Sequence, residues 1–403
     1  MLIKLAWRNI WRNKRRTYIT MGVMFFSVLL AILMRSMQNG VYDEMINNVV
    51  GYYTGQIQIH QKGYWEEQTL DNALQLNDTL YNVLENQLPN QYTERIETFV
   101  LAASNSTTKG AMLVGVNPEN ENQLTHIEEK LIEGNYLTPE DNAALIGEGL
   151  AKKLKLSVHD TLVFIGQGYH GVNAAGKFAV KGIVKFGSPE LNNQLIYIPL
   201  KSAQEILGMP NLVTTIAVFT DYKKAEEIKA SLNTSLLTDK YEIMTWKEMM
   251  PELVEMIALD SAGGILMIAV LYLIVAFVFL GTLIMMISER LHEFGVLIAI
   301  GMKKRKLALM VYLETISVAL LGVMLGVVGA SPVIAYFYYN PIRFTGEVAK
   351  TYENYGFEPV LKVSTDPMIF INQGIIIYIL ASVLAVYPIL KILKLKAIEA
   401  MRS

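Results

Sequence analysis

Four long apolar runs decide what this chain can become. A bilayer core about 30 Å thick is crossed by roughly 20 apolar residues in helical form. Thr17–Met34 and Ile265–Ile287 carry no charge, Leu307–Phe337 carries only Glu314, and Met368–Leu390 carries only the polar Asn372 and Gln373. The sequence therefore predicts a membrane protein with four transmembrane α-helices, at 17–37, 264–288, 307–337 and 368–390. The first run does not read as a cleaved signal peptide, because its charged flank is long and no small-residue cleavage site follows. Composition agrees: of 403 residues 52% are hydrophobic and 18% charged, too apolar for an ordinary soluble domain.

Lysine and arginine near the span ends set the expected sidedness. Residues 1–16 hold Lys4, Arg8, Arg12, Lys14, Arg15 and Arg16 with no acid, the connector after the second span ends in Lys303-Lys304-Arg305-Lys306, and the tail carries Lys391, Lys394, Lys396 and Arg402. All three segments are expected in the cytoplasm, with both termini. The stretch 37–263 holds 16 basic and 29 acidic residues and is expected outside. The near-neutral total, a net charge of −2, argues against a nucleic-acid partner. The absence of cysteine removes disulfides, thiolate metal sites and cysteine nucleophiles.

Smaller patterns fill in this layout. Ile3, Ala6, Trp7, Ile10 and Trp11 recur at helical spacing opposite Lys4, Arg8 and Arg12, so 1–16 reads as an interfacial amphipathic helix in the lipid headgroups. Residues 38–263 read as an extracytoplasmic α+β domain. Strands are expected at Gln56–His60, Met112–Val116, Leu162–Ile165, Phe178–Val184, Leu195–Leu200 and Thr215–Thr220. Helices are expected after Ser202, Asp221 and Thr245, and Trp246–Asp260 is expected to run stiffly into the second span. A loop at 338–367 and a cytoplasmic tail at 391–403 complete the chain.

Little here points to catalysis. Gly171 to Lys177 has phosphate-loop spacing, but Phe178 stands where a hydroxyl must hold magnesium, so a hairpin loop is the better reading. The histidines at 60, 126, 159, 170 and 292 lack metal-ligand spacing, and no Gly-x-Ser-x-Gly elbow occurs. No metal site, no bound cofactor and no enzymatic activity are expected of this chain. Glu314 lies inside a span without the further acids a proton relay needs, which favours a structural polar contact. Gly322, Gly326 and Gly329 sit at spacings that allow close helix packing, and Ser331-Pro332 suggests a bend. The connector at 289–306 combines Glu289, Arg290 and Glu293 with an apolar run through Phe294, Gly295, Leu297 and Ala299 to Gly301. That run is too apolar for a solvated connector and suits docking on a membrane or a partner.

The connector resembles the signature of FtsX-like permeases of ABC transporters, in which Glu-Arg-x-x-Glu-hydrophobic-Gly leads into an Ala-x-Gly-basic turn. Asn13-Lys14-Arg15-Arg16-Thr17, Glu314 with the glycine ladder, and the tail Tyr387-Pro388 to Ala397–Arg402 are similar too, as is the placing of the large domain. Within that family Val114–Pro118, Ile146–Ala151 and Val180–Val184 resemble the lipoprotein-releasing permeases LolC and LolE; MacB-type exporters are also similar but usually carry an N-terminal ATPase. The resemblance implies an inner-membrane, multi-pass subunit with a MacB-like ectodomain that works by mechanotransmission, with lipoprotein release as its task. It implies a separate ABC ATPase that holds ATP and magnesium and docks on Glu289–Gly301, and a second permease copy or paralogue in the bilayer. A periplasmic chaperone or adaptor is implied at the loop bearing Gly166, Tyr169, His170 and Gly176, which lacks the proline-flanked pattern of the LolC hook. Efflux or peptide detoxification, and an FtsX-like scaffold for a cell-wall hydrolase, are the alternatives.

Overall fold

The computed structural model describes residues 11–12, 14–104, 107–186, 188–236, 239–354 and 359–395. Most of the interfacial helix and the end of the tail lie outside the described residues. The chain divides into two compact units, one of 1–43, 257–342 and 360–403 and the other of 44–256 and 343–359.

The first unit is helical: α1 (Lys14–Ile46), α2 (Pro251–Glu289), α3 (Leu291–Ala299), α4 (Lys304–Tyr339), α5 (Pro367–Leu384) and α6 (Val386–Leu393). Among the described residues four stretches are long and apolar enough to span a bilayer: Thr17–Ile46, Pro251–Glu289, Lys304–Tyr339 and Pro367–Leu393. Met24, Val28 and Ile32 of α1 pack with Phe279 and Leu283 of α2, Val311 and Ala319 of α4, and Ile377 and Ala381 of α5. On α2 the side chains of Ile265, Leu266, Leu273 and Phe277 remain exposed, as a helix apolar on all sides must be when lipid rather than protein surrounds it. Gly263-Gly264 does not break α2, and Gly264 lies against the end of the Gln38 side chain of α1, which would have to move aside for a Cβ. Pro332 likewise sits inside α4, which continues to Tyr339.

The second unit is a mixed-sheet domain. Its strands are β1 (Ile57–Gln61), β2 (Leu74–Gln75), β3 (Tyr92–Ala103), β4 (Thr108–Val116), β5 (Leu131–Gly134), β6 (Ala143–Gly147), β7 (Thr161–Gln167), β8 (Asn173–Val184), β9 (Leu195–Pro199), β10 (Leu212–Val213), β11 (Thr215–Val218) and β12 (Tyr241–Thr245). Ten of them pair in the order β12-β1-β11-β3-β4-β9-β6-β8-β5, with β7 joining β3 to β8. The pairings β3-β4-β9-β6-β8-β7-β3 thus close a six-stranded ring. Strict alternation makes the ring: Ala174, Phe178 and Val180 of β8 are buried while Asn173, Ala175, Lys177 and Ala179 are exposed. A second cluster, with Val114, Val116, Leu195, Tyr197 and Tyr53, fills the opposite face of β4 and β9.

Three local expectations are corrected. The helix expected after Ser202 starts earlier, at Leu200, so Ser202 is in its first turn and caps nothing. Trp246–Asp260 is not one stiff rod: Thr245 and Glu248 form a capping box for Trp246–Met249, Met250 leaves helical geometry (φ −129°, ψ 62°), and Pro251 opens α2. Asp221 caps a short turn at Tyr222–Lys224, and the longer helix follows at Ala225–Ser235.

Candidate functional site

Where α2 ends, the chain turns sharply at Arg290 (φ −106°, ψ 7°) before α3 begins. That turn aims the Arg290 side chain at α4. Its Nη1 donates to both carboxylate oxygens of Glu314, at 2.9 and 2.8 Å. Arg290 is 5% exposed and Glu314 2%. Phe294 of α3 lies under the guanidinium, 5.1 Å from ring centre to Cζ, and Nε reaches the Glu293 carboxylate at 3.4 Å. Glu293 also accepts from Arg12 Nη2 at 3.0 Å, an exposed pair that contributes little on its own. Glu314 thus has a structural polar partner, and it is one that lies outside the four apolar runs.

An ion pair removed from water is no gain in itself, since desolvation offsets most of the attraction. Here one guanidinium nitrogen meets both carboxylate oxygens and joins the residue just before α3 to α4. The residues expected to form a docking segment sort into two groups. Arg290, Phe294 and Gly295 are buried and cannot meet a partner directly. Glu289, Glu293, Ala299 and Gly301 are exposed, Leu297 is half-buried, and Ile300 is 80% exposed. Gly301 takes φ 104°, a conformation that suits glycine, and turns the chain into the basic run at 303–306.

The glycines of α4 face α1. A Cβ on Gly322 would fall 2.6 Å from that of Met24, one on Gly326 2.9 Å from the Phe25 carbonyl oxygen, and one on Gly329 2.5 Å from the Phe25 ring. Gly326→Leu should therefore cost about 1–3 kcal/mol through overpacking. Thermal melting of the detergent-solubilised chain checks this, with Gly281→Leu, where nothing lies within 4 Å, expected to melt as the wild type does. Towards the other end of α1, Arg35 donates to Gln38 (2.7 Å), Gln38 to the Tyr42 hydroxyl (2.8 Å), and Tyr42 to Asp260 of α2 (2.7 Å).

The second unit holds another buried charge cluster, which the sequence reading missed. Arg95 of β3 is fully buried and donates through Nε and Nη2 to Glu121, at 3.0 and 2.6 Å. Its Nη1 donates to the carbonyl of Tyr53, near the end of a π-helical segment Asn47–Thr54 that follows α1. The rings of Tyr53 and Phe219 flank the guanidinium. Of the residues expected to form a partner loop, Gly166 and Gly176 are in β7 and β8, where the loop reading of 166–176 gives way to strand pairing. Tyr169 and His170 form the hairpin tip, and the His170 amide donates to Asp71 at 2.7 Å. No group of three or more histidines and acids fit to hold a metal occurs among the described residues.

The described residues thus form a membrane protein with four candidate spans and a large mixed-sheet domain between the first two. A family model described as FtsX-like permease C-terminal matches residues 265–397, and one described as MacB-like periplasmic core domain matches residues 17–235. The chain belongs to the FtsX/MacB-like permeases of ABC-transporter type, with a periplasmic domain between the first and second helix. Such permeases work with an ABC ATPase partner and are generally not enzymes themselves, and the family together with the spans indicates a bacterial inner-membrane protein. Among solved structures, the extracellular domain of the noncanonic ABC-type transporter YknZ from Gram-positive bacteria is similar at 20% identity, over 47% of this chain and 99% of that one, with a TM-score of 0.34. The periplasmic region of MacB from Actinobacillus actinomycetemcomitans is similar at 16% identity, over 52% of this chain and 97% of that one, also with a TM-score of 0.34. No curated protein matches.

Proposed function

We propose that this permease transmits the ATP-driven motion of a separate ATPase to its periplasmic domain, and that its task is lipoprotein release from the inner membrane. Both termini and α3 lie on the cytoplasmic side in this reading, in accord with the basic flanks of the spans. The observation that carries it is the Arg290–Glu314 pair: a docking helix tied to a span by a buried ion pair can pass a push onward without slipping. The ATPase meets the exposed rim of Glu289, Glu293, Ala299, Ile300 and Gly301, and ATP and magnesium stay on the ATPase. A second permease, identical or a paralogue, completes the pair in the lipid bilayer. Chain continuity through α2 carries the motion, with Met250 as a joint at its start.

Ile300→Glu and Glu293→Arg should abolish co-purification of the ATPase, with melting unchanged for Ile300→Glu, whose side chain is 80% exposed, and slightly lowered for Glu293→Arg, which sets a cation beside Arg290. Undiminished recovery of the ATPase with both variants would sink the docking assignment. For cargo, depletion of the chain should leave lipoproteins in the inner membrane with unaltered sensitivity to toxic compounds. The reverse outcome supports the second reading, efflux or peptide detoxification. One observation weighs against chaperone recruitment, and so leaves room for that alternative: the hairpin tip at Tyr169–His170 is tied back to Asp71.

A further inference from the structure

Glu97 of β3 follows Arg95 at a spacing of two and shares its face of the sheet with Phe99 and Leu101. A cavity of about 350 Å³ opens beside it, within the size range of small-molecule sites. Its walls include Tyr53, Tyr64, Trp65, Phe99 and Met112, with Met249 and Met250 at one side. The charges are unbalanced. Arg95 is already matched by Glu121, so the cluster of Arg95, Glu121 and Glu97 carries one carboxylate too many. Glu97 Oε1 is buried, lies 3.7 Å from Arg95, and accepts no hydrogen bond from the described residues. Glu190 also lines the cavity, whereas no lysine or arginine does among the described residues. Outside the cavity the apolar wall continues: Phe99 is 60% exposed, and Leu101 stands opposite Ile165 on β7, both exposed.

We propose that this cavity binds an amphiphile with one cationic nitrogen, the nitrogen facing Glu97 and Glu190 and the apolar body lying along Met112, Phe99, Leu101 and Ile165. The aromatic walls suit a cation as well as a chain, since ring faces attract positive charge. Burial raises the Glu97 carboxyl above the usual carboxylate range, against the pull of Arg95, and a cation beside it favours its charged form. His60, also in the wall, is held down to about 4 by burial and supplies no competing positive charge near neutral pH. The inference stands independently of the ATPase-docking reading, because every residue it uses belongs to the periplasmic domain.

The test uses the full-length chain in lipid nanodiscs, titrated calorimetrically with n-octylammonium, n-octanoate or n-octanol, with empty nanodiscs subtracted. Octylammonium should bind saturably at one site per chain, and octanoate and octanol should not. Glu97→Gln should weaken binding on the order of tenfold or more, the loss expected when a charged partner is removed. Phe99→Ser, at an exposed position outside the ion cluster, should weaken it while leaving the melting curve intact. Equal binding of the three probes, or octylammonium binding unchanged in both variants, would overturn the proposal.

Discussion

Arg290→Ala should lower the stability of the membrane unit by about 3–5 kcal/mol, because it leaves Glu314 buried without its guanidinium. Glu314 then loses the guanidinium that compensates its burial, which disfavours the native packing. Arg290→Met combined with Glu314→Leu should recover most of that loss, since two apolar side chains need no compensation. The recovered variant is the informative one. If the pair serves to hold α3 on α4, the double variant melts like the wild type yet co-purifies with less ATPase. Full ATPase recovery with the double variant would mean that the pair has no positioning role. Thermal melting of the solubilised chain and quantitative pull-down give the two readouts.

The largest effect expected in the periplasmic domain comes from Arg95→Met. It strands Glu121, deprives the Tyr53 carbonyl of its donor and removes the guanidinium beside Glu97, again a loss of about 3–5 kcal/mol. For a domain of this size that corresponds to a fall in the melting midpoint on the order of 10 °C. Glu121→Gln should cost less, because Glu97 remains 3.7 Å from the guanidinium and can take over part of its charge. Scanning fluorimetry of the full chain checks the order. Equal losses from the two variants would show that Glu97 gives Arg95 no support.

The spans could be read directly because hydrophobic length is a property of the chain alone, and Thr17–Ile46 and Pro251–Glu289 are apolar whatever they pack against. The periplasmic domain was less legible. Alternation revealed Phe178–Val184, but β3 escaped because Glu94, Arg95 and Glu97 interrupt its run of β-formers and look like surface. Only a partner 26 residues away, Glu121, makes a buried arginine there tolerable, and long-range pairing leaves no local trace. The same holds for the candidate docking site. Glu289–Gly301 was visible as an apolar stretch with charges, whereas the separation into a buried anchor and an exposed rim depends on Glu314, 24 positions beyond Arg290. Two of the stretches that the sequence alone suggested were LolC- or LolE-like have structural duties here. Asn117 caps the helix Pro118–Thr125, and a Cβ on Gly147 would strike the Asn192 carbonyl oxygen at 2.4 Å.

The closed ring of β3, β4, β9, β6, β8 and β7 has a bearing on how other proteins can attach. An open sheet invites a foreign segment to zip onto its rim by main-chain hydrogen bonds. Within the ten-stranded sheet only β12 and β5 present such a rim, and β5 is four residues long. Association with the ring itself therefore rests on side-chain recognition, a mode in which sequence can change while the scaffold stays as it is.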